Sequence, residues 1–224
     1  MRWVGDNKED VIQQFHLRGE FYEEGYLKVM KDHCPDNATI IDVGANIGNH
    51  TVYFSKFFNA KTVYAIEPIP RSYKLLLANL ALNYCHNVNV DHIGLALGNQ
   101  ECLGYPCMIY GKDNLGATLL NPVPYTEIND NNRDLIFNDP VNIVTGDSLF
   151  KDVHVDLIKI DVERMELVVL EGFKETIKNN RPLIFIEIFE DCYEDFKRWA
   201  ELNRYKVEFG EYDCGCYNFL MKAM

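Results

Sequence analysis

The stretch Thr39-Ile-Ile-Asp-Val-Gly-Ala-Asn-Ile-Gly-Asn-His-Thr51 decides the fold. The apolar, largely β-branched run Ala38–Val43 reads as a buried parallel strand. It delivers an acid, Asp42, then a turn from Gly44 to Gly48, then a helix over Ile47–Phe58. That order builds a pocket beyond a strand's carboxyl end for the charged and ribosyl parts of a nucleotide-like cofactor. Glycines at 44 and 48 let the backbone turn and approach a ligand with no Cβ in the way, and Asn46 and Asn49 tolerate left-handed backbone.

Outward from this stretch the pattern repeats. Thr62–Glu67 is a second strand, closed by Pro68 and Pro70, and Arg71–Asn83 a helix with Tyr73, Leu76, Leu77 and Leu80 on one face. Asn87–Leu97 is a third strand. Strand and helix alternating in this way imply right-handed crossovers and a parallel sheet. Residues 101–144 break the rhythm with Gly104, Pro106, Gly111, Gly116, Pro122, Pro124, an Asn/Asp cluster at Asn129–Asp134, and Pro140. So long a segment is a functional lid or a small antiparallel insert. The order resumes with strand Val155–Asp161, helix Met165–Asn179, strand Leu183–Ile188 and helix Glu190–Asn203. It closes on a hairpin, Tyr205–Glu211 with Tyr217–Lys222, turned by Asp213-Cys-Gly. Upstream, Glu9–His33 reads as one or two helices interrupted at Gly19 and Gly25, ending at Pro35-Asp36-Asn37. The expectation is one domain over residues 1–224, with a helical segment at 1–37 and the insert at 101–144.

Composition bounds the partners. An apolar content of 47%, with 13 Phe and 13 Tyr, fills a sizeable core. The formal charge of −12 comes with basic residues scattered singly, which disfavours nucleic acid. The seven cysteines show no repeated spacing, and Cys214-Gly-Cys216 lacks a second ligand pair, so it reads as packing and a turn. A polar Met1–Asp10 and the lack of a membrane-length apolar run lead to the expectation of a cytoplasmic protein with reduced thiols and no membrane partner. Nothing here speaks to oligomeric state.

The residues to weigh stand at strand ends: Asp42–Gly48, Glu67, Gly94–Leu97, Asp161 and Glu187. A dinucleotide fingerprint needs glycines third and sixth from Gly44; Asn46 and Asn49 stand there instead. The acids Asp42 and Glu67 suit a sulfonium and an ammonium better than two phosphates, which shifts the reading to S-adenosylmethionine. Glu67 takes both ribose hydroxyls, since a carboxylate accepts two hydrogen bonds at once. Asp42 faces the methionine ammonium, directly or through water. Asp42, Gly44, Asn46, Gly48, Glu67 and Ala96 form the expected cofactor set. Asp161 is a substrate or metal contact, or else a helix N-cap. Glu163 and Glu166 lie in a first helical turn, where the dipole favours acids regardless of function. Glu187 is a charge in an apolar run, costly unless it points into the crevice or pairs, with Lys159 as the neighbouring partner. Asp161 and Glu187 together are placed to hold a divalent cation, magnesium or manganese. His92, mid-strand, and His154 read as structural. His50, opening a helix beside the cofactor loop, is a third catalytic candidate after Asp161 and Glu187.

These segments together resemble the FkbM-type methyltransferases, a branch of the S-adenosylmethionine-dependent class I fold. The residues that carry the resemblance are Ile41-Asp-Val-Gly-Ala-Asn-Ile-Gly-Asn-His-Thr51, Ala65-Ile-Glu-Pro68, Leu95-Ala-Leu-Gly98, Asp156-Leu-Ile-Lys-Ile-Asp-Val-Glu163 with Met165-Glu166, Val169-Leu-Glu-Gly172 and Ile186-Glu187. The family usually has glycine where Arg164 stands, so Arg164 offers a cation near the acceptor site. The resemblance implies a Rossmann-like α/β class I fold: a mostly parallel seven-stranded sheet, helices on both faces and an antiparallel last strand. It also implies O-methylation of a sugar hydroxyl, on a glycan, nucleotide-sugar or glycoside, or of a non-sugar small-molecule alcohol, with a base or a metal assisting. Asp161 is first in line as base or metal ligand, then Glu187, then His50. The insert, with Tyr105, Tyr110 and Tyr125, would shape the acceptor pocket. A nicotinamide-dependent oxidoreductase is the rival on the same fold, opposed by the missing third glycine. A non-catalytic binding module would not need acids at four strand ends.

Overall fold

The computed structural model describes residues 1–108, 118–121 and 140–224. Its centre is β1 (Thr39–Val43), buried at every position. It pairs in parallel with β2 (Thr62–Ile66) on one side and with β8 (Leu157–Ile160) on the other. β3 (Val88–Asn89) extends the sheet beyond β2, and β9 (Leu183–Phe189) beyond β8, both in parallel. The closing hairpin of β10 (Tyr205–Asp213) and β11 (Cys216–Ala223) docks through β11, which runs antiparallel to β9. The order is β10-β11-β9-β8-β1-β2-β3, the mostly parallel seven-stranded sheet with an antiparallel closing strand that the sequence implies.

Alternation along β1 sends side chains into two cores. Ile40 packs with α2 (Glu24–His33), α3 (Asn49–Phe57) and α4 (Pro70–Leu82) through Leu27, Phe54 and Leu76. Ile41 and Val43 pack on the opposite face with α5 (Gly146–Phe150), α6 (Glu166–Gly172), α7 (Lys174–Asn180) and α8 (Tyr193–Leu202). A strand buried on both faces needs apolar residues in continuous run, the pattern visible in the sequence.

Several boundaries differ from the sequence reading. The third strand is two, β3 and β4 (Leu95–Gly98), parted by a turn in which Gly94 takes φ +87°. His92 therefore sits in that turn, stacked on Tyr64, not in mid-strand. The single helix expected over 165–179 breaks at Phe173, which caps both α6 and α7. Gly19 does interrupt, at φ +77°, after α1 (Val11–Leu17), whereas Gly25 lies inside α2. In the insert, β5 (Cys102–Met108) pairs antiparallel with β6 (Thr118–Asn121) and with β7 (Val141–Thr145), and β7 runs parallel to β4. These strands form a second sheet, β4-β7-β5-β6, seated on the first through Ile69, Ala96, Leu120, Ile143 and Met165. Tyr110 and Tyr125 lie outside the described residues, as does the Tyr105 side chain.

Candidate active site

At the carboxyl ends of β1, β2, β8 and β9 a cavity of about 230 Å³ opens. Gly44, Asn46, Glu67, Ala96, Asp161, Glu163 and Glu187 are among the residues that line it. Glu187 reaches it because β9 continues past the last residue of β8, so its side chain projects over the strand end. No lysine, arginine or histidine is among the described lining residues, whereas five carboxylates are: Glu23, Glu67, Asp161, Glu163 and Glu187.

Glu67 is 5% exposed and spans two elements. One carboxylate oxygen accepts from the Asn46 amide at 2.8 Å and the other from the Ile69 amide at 2.8 Å. Burial pushes its ionisation up to about 7, against the opposing pull of those two amides. The cofactor loop and the start of α4 are thus joined through one carboxylate. Asn46 holds φ +48°, and its buried Oδ1 has no hydrogen-bond partner. An orphaned acceptor on a cavity wall is costly in the free protein, and a donor-bearing ligand relieves it.

The two glycines serve different contacts. Gly44, at φ +79°, lies so close to the β8 strand end that a Cβ there would run into the Asp161 carbonyl oxygen. Gly48, at φ +94°, precedes α3 and faces Leu76 of α4; it does not line the cavity. Its smallness serves helix packing.

Asp42 also lies behind the wall. It is wholly buried, accepts from the Thr51 hydroxyl at 2.6 Å and stands 3.3 Å from the Lys159 ammonium. Asp42, expected to face a methionine ammonium directly or through water, is not among the described lining residues, and β8 sets Lys159 opposite it. Of the two alternatives for Glu187, it points into the crevice; no Lys159–Glu187 ion pair forms among the described residues. The register sets Lys159 against Asp42 on one side and Phe185 on the other, and its ammonium meets Asp161 at 3.2 Å instead. Burial alone would lower the Lys159 ionisation; Asp161 and Asp42 more than offset it, and the net shift is upward.

Burial and the neighbouring acids hold Glu187 well above the ordinary carboxylate range. Burial, with Asp161 and Glu166, raises Glu163 to about 8. Glu166, 2% exposed, accepts from the Arg164 amide at 2.8 Å; burial raises it to about 7. Glu163 and Arg164 both take left-handed backbone, φ +51° and +70°. Arginine thus adopts the conformation for which glycine is the easy choice. The Arg164 guanidinium turns to Asp191 at 2.7 Å and stacks on Phe189, and it does not line the cavity as the sequence suggested.

The N-terminal segment supplies a wall that the sequence reading missed. Val11, Ile12, Tyr22 and Glu23 line the cavity. Asn49, the first residue of α3, grips Tyr22 by both backbone groups. It accepts from the Tyr22 amide at 3.0 Å and donates to its carbonyl at 2.9 Å. Glu23, at φ +56°, stands 3.3 Å from His50 Nε2. His50 is therefore one layer back from the cavity, behind Glu23. Burial and the charges of Glu23, Asp161 and Glu187 push the ionisation of the Tyr22 hydroxyl upward. Only the asparagine that follows the loop glycine hints at this clamp in the sequence.

Asp161 and Glu187 share the cavity. Among the described residues, no group of three His, Cys, Asp or Glu side chains is placed to hold a metal ion. No helix among them is long and apolar enough to cross a membrane.

Comparison with known proteins fits this geometry. The family described as Methyltransferase FkbM domain matches residues 42–211. "Methyltransferase sdnD" of Sordaria araneosa is 27% identical over 179 residues, 67% of this chain and 68% of that protein. "Methyltransferase 1" of Beauveria bassiana is 25% identical over 154 residues, 63% of this chain and 60% of that protein. The crystal structure of an FkbM methyltransferase from Methylobacillus flagellatus KT shares the fold, with a TM-score of 0.60 at 17% identity. That match covers 93% of this chain and 52% of that one, so the chain spans about half its length.

Proposed function

The chain belongs to the FkbM methyltransferase family, and from that premise we propose that it methylates a hydroxyl of a small-molecule acceptor, a sugar or glycoside before other alcohols. The observation that carries this reading is one cavity lined by the buried Glu67 together with Asp161 and Glu187.

The residues present fit S-adenosylmethionine. Glu67 keeps lone pairs for ribose hydroxyls beyond those taken by Asn46 and Ile69, and the orphaned Asn46 Oδ1 is free to accept from the ligand. The acid lining without a described cationic side chain suits a sulfonium. Ala96 and Leu97 supply apolar wall, Gly44 gives the loop its close approach to β8, and Asp42 and Gly48 act from behind. When bound, the cofactor supplies an electrophilic methyl group whose carbon–sulfur bond breaks as the new oxygen–carbon bond forms.

The protein's part is to orient the acceptor and receive its proton. An alcohol gives up its proton about as reluctantly as water, with a pKa near ~15.7. Asp161, held by Lys159, is the acceptor of that proton. Glu187 and Glu163, their ionisation raised by burial and by the neighbouring Asp161, carry protons near neutrality and donate hydrogen bonds to the acceptor's other oxygens. Tyr22 and Glu23 line the same cavity. His50 acts only by supporting Glu23. Two carboxylates alone make a thin divalent-cation site, so the proton is routed to Asp161; a magnesium or manganese ion between Asp161 and Glu187 is the second reading.

Calorimetry should show micromolar binding of S-adenosylhomocysteine and none of NAD. Methyl transfer to a panel of glycosides, simple alcohols and a structured RNA, with and without chelator, tests the acceptor and the cation. Turnover of the RNA alone would overturn the small-molecule reading, and loss of all turnover with chelator would favour the second.

A further inference from the structure

We infer that Lys159 is a positioning residue that locks the methyl-donor loop and Asp161 against each other. The inference rests on the methyltransferase reading. Lys159 lies in the apolar strand β8 and is 1% exposed. Burying an ammonium there costs several kcal/mol unless its donors and charge are met. An ammonium has three N–H donors. Here one N–H donates to the Gly44 carbonyl at 2.9 Å, while Asp161 Oδ2 at 3.2 Å and Asp42 Oδ1 at 3.3 Å meet the charge as ion pairs.

A mere counterion would need only the carboxylates. The Gly44 contact is the informative one, because Gly44 belongs to the donor loop. From the β2 side, the amides of Gly44 and Ala45 both bond to the Ile66 carbonyl at 3.0 Å. From the β8 side, Lys159 takes the Gly44 carbonyl. The loop also packs so closely on the Asp161 backbone that residue 44 has no room for a Cβ. Lys159 therefore grips the loop and the Asp161 carboxylate with one group, and fixes the separation between the donor site and the proton acceptor.

The test uses S-adenosylhomocysteine as probe in an Asp42→Asn background, where removing the ammonium leaves no uncompensated, fully buried carboxylate. We expect Asp42→Asn/Lys159→Met to melt within a few degrees of Asp42→Asn. It should bind the probe about tenfold more weakly. Asp42→Asn/Lys159→Gln, whose amide can still donate to the Gly44 carbonyl, should recover much of that affinity. Equal binding by the Met variant and Asp42→Asn would reduce Lys159 to a counterion and overturn the inference. Equal losses in the Met and Gln variants, or unfolding of both, would overturn it too. Failure of the unsubstituted chain to bind the probe would instead strike the methyltransferase reading itself.

Discussion

Glu67 is under two opposed demands. The role toward ribose proposed for it requires an ionised acceptor, yet burial raises its ionisation to about 7. Affinity for S-adenosylhomocysteine should therefore weaken about tenfold from pH 8 to pH 6, as the ionised fraction falls. Calorimetry across that range checks it. Glu67→Ala should abolish measurable binding, since it removes the ribose partner and frees two amides, of Asn46 and Ile69. Asp161→Asn should leave probe affinity within a few-fold while lowering turnover by at least about a hundredfold, the usual worth of a positioned base. A Kd loss as large as the turnover loss would instead make Asp161 a binding residue.

At the scale of elements, the loop between β1 and α3 was the most legible part of the molecule. Its glycines, its asparagines and the acid at the end of β2 all stand where the turn requires them. Less legible was which residue faces which neighbour. Asp42 and Lys159 are one charged pair because the β1–β8 register makes them opposite, and register is a tertiary fact no local pattern carries. The N-terminal wall was hidden for a similar reason. Tyr22 and Glu23 follow a helix break without any motif, and their holds are remote in sequence: Asn49, 27 positions on, for Tyr22 and His50 for Glu23. Asn49→Ala should remove two partly buried backbone contacts of Tyr22, costing about 1–3 kcal/mol. Amide exchange at Tyr22 should speed up while β1 stays protected. Gly44→Ala tests the loop itself: the new methyl group meets the Asp161 carbonyl, and probe binding should be lost along with several degrees of melting temperature.

Across the whole molecule the raised carboxylates give stability a sign. Glu67 and Glu166 each move from 4.5 to about 7 and Glu163 to about 8. A group raised on folding holds more protons in the native state, so its stabilisation is lost as pH rises from the unfolded value through the folded one. His16 opposes them: burial lowers it from 6.5 to about 4, so its contribution is lost as pH falls across that interval. The acids outnumber it. The ligand-free protein should melt several degrees higher at pH 6 than at pH 8, and Glu67→Gln should flatten that slope by roughly a few kcal/mol at most. A flat melting profile would mean that these acids are hydrated in solution. Adding S-adenosylhomocysteine should lift the pH 8 melting temperature by mass action, more than it lifts the one at pH 6.

The Asn49 clamp has a further consequence, for how such a protein diversifies. Tyr22 and Glu23 lie before residues 42–211, which carry the family match; Tyr22 is bolted to that region by the Asn49 side-chain amide gripping its backbone, and Glu23 by its side chain's contact with His50. Backbone groups are indifferent to which side chain they bear. The Tyr22 position is in effect an exchangeable facing of the cavity: its side chain can be rewritten while the Asn49 bolt stays as it is.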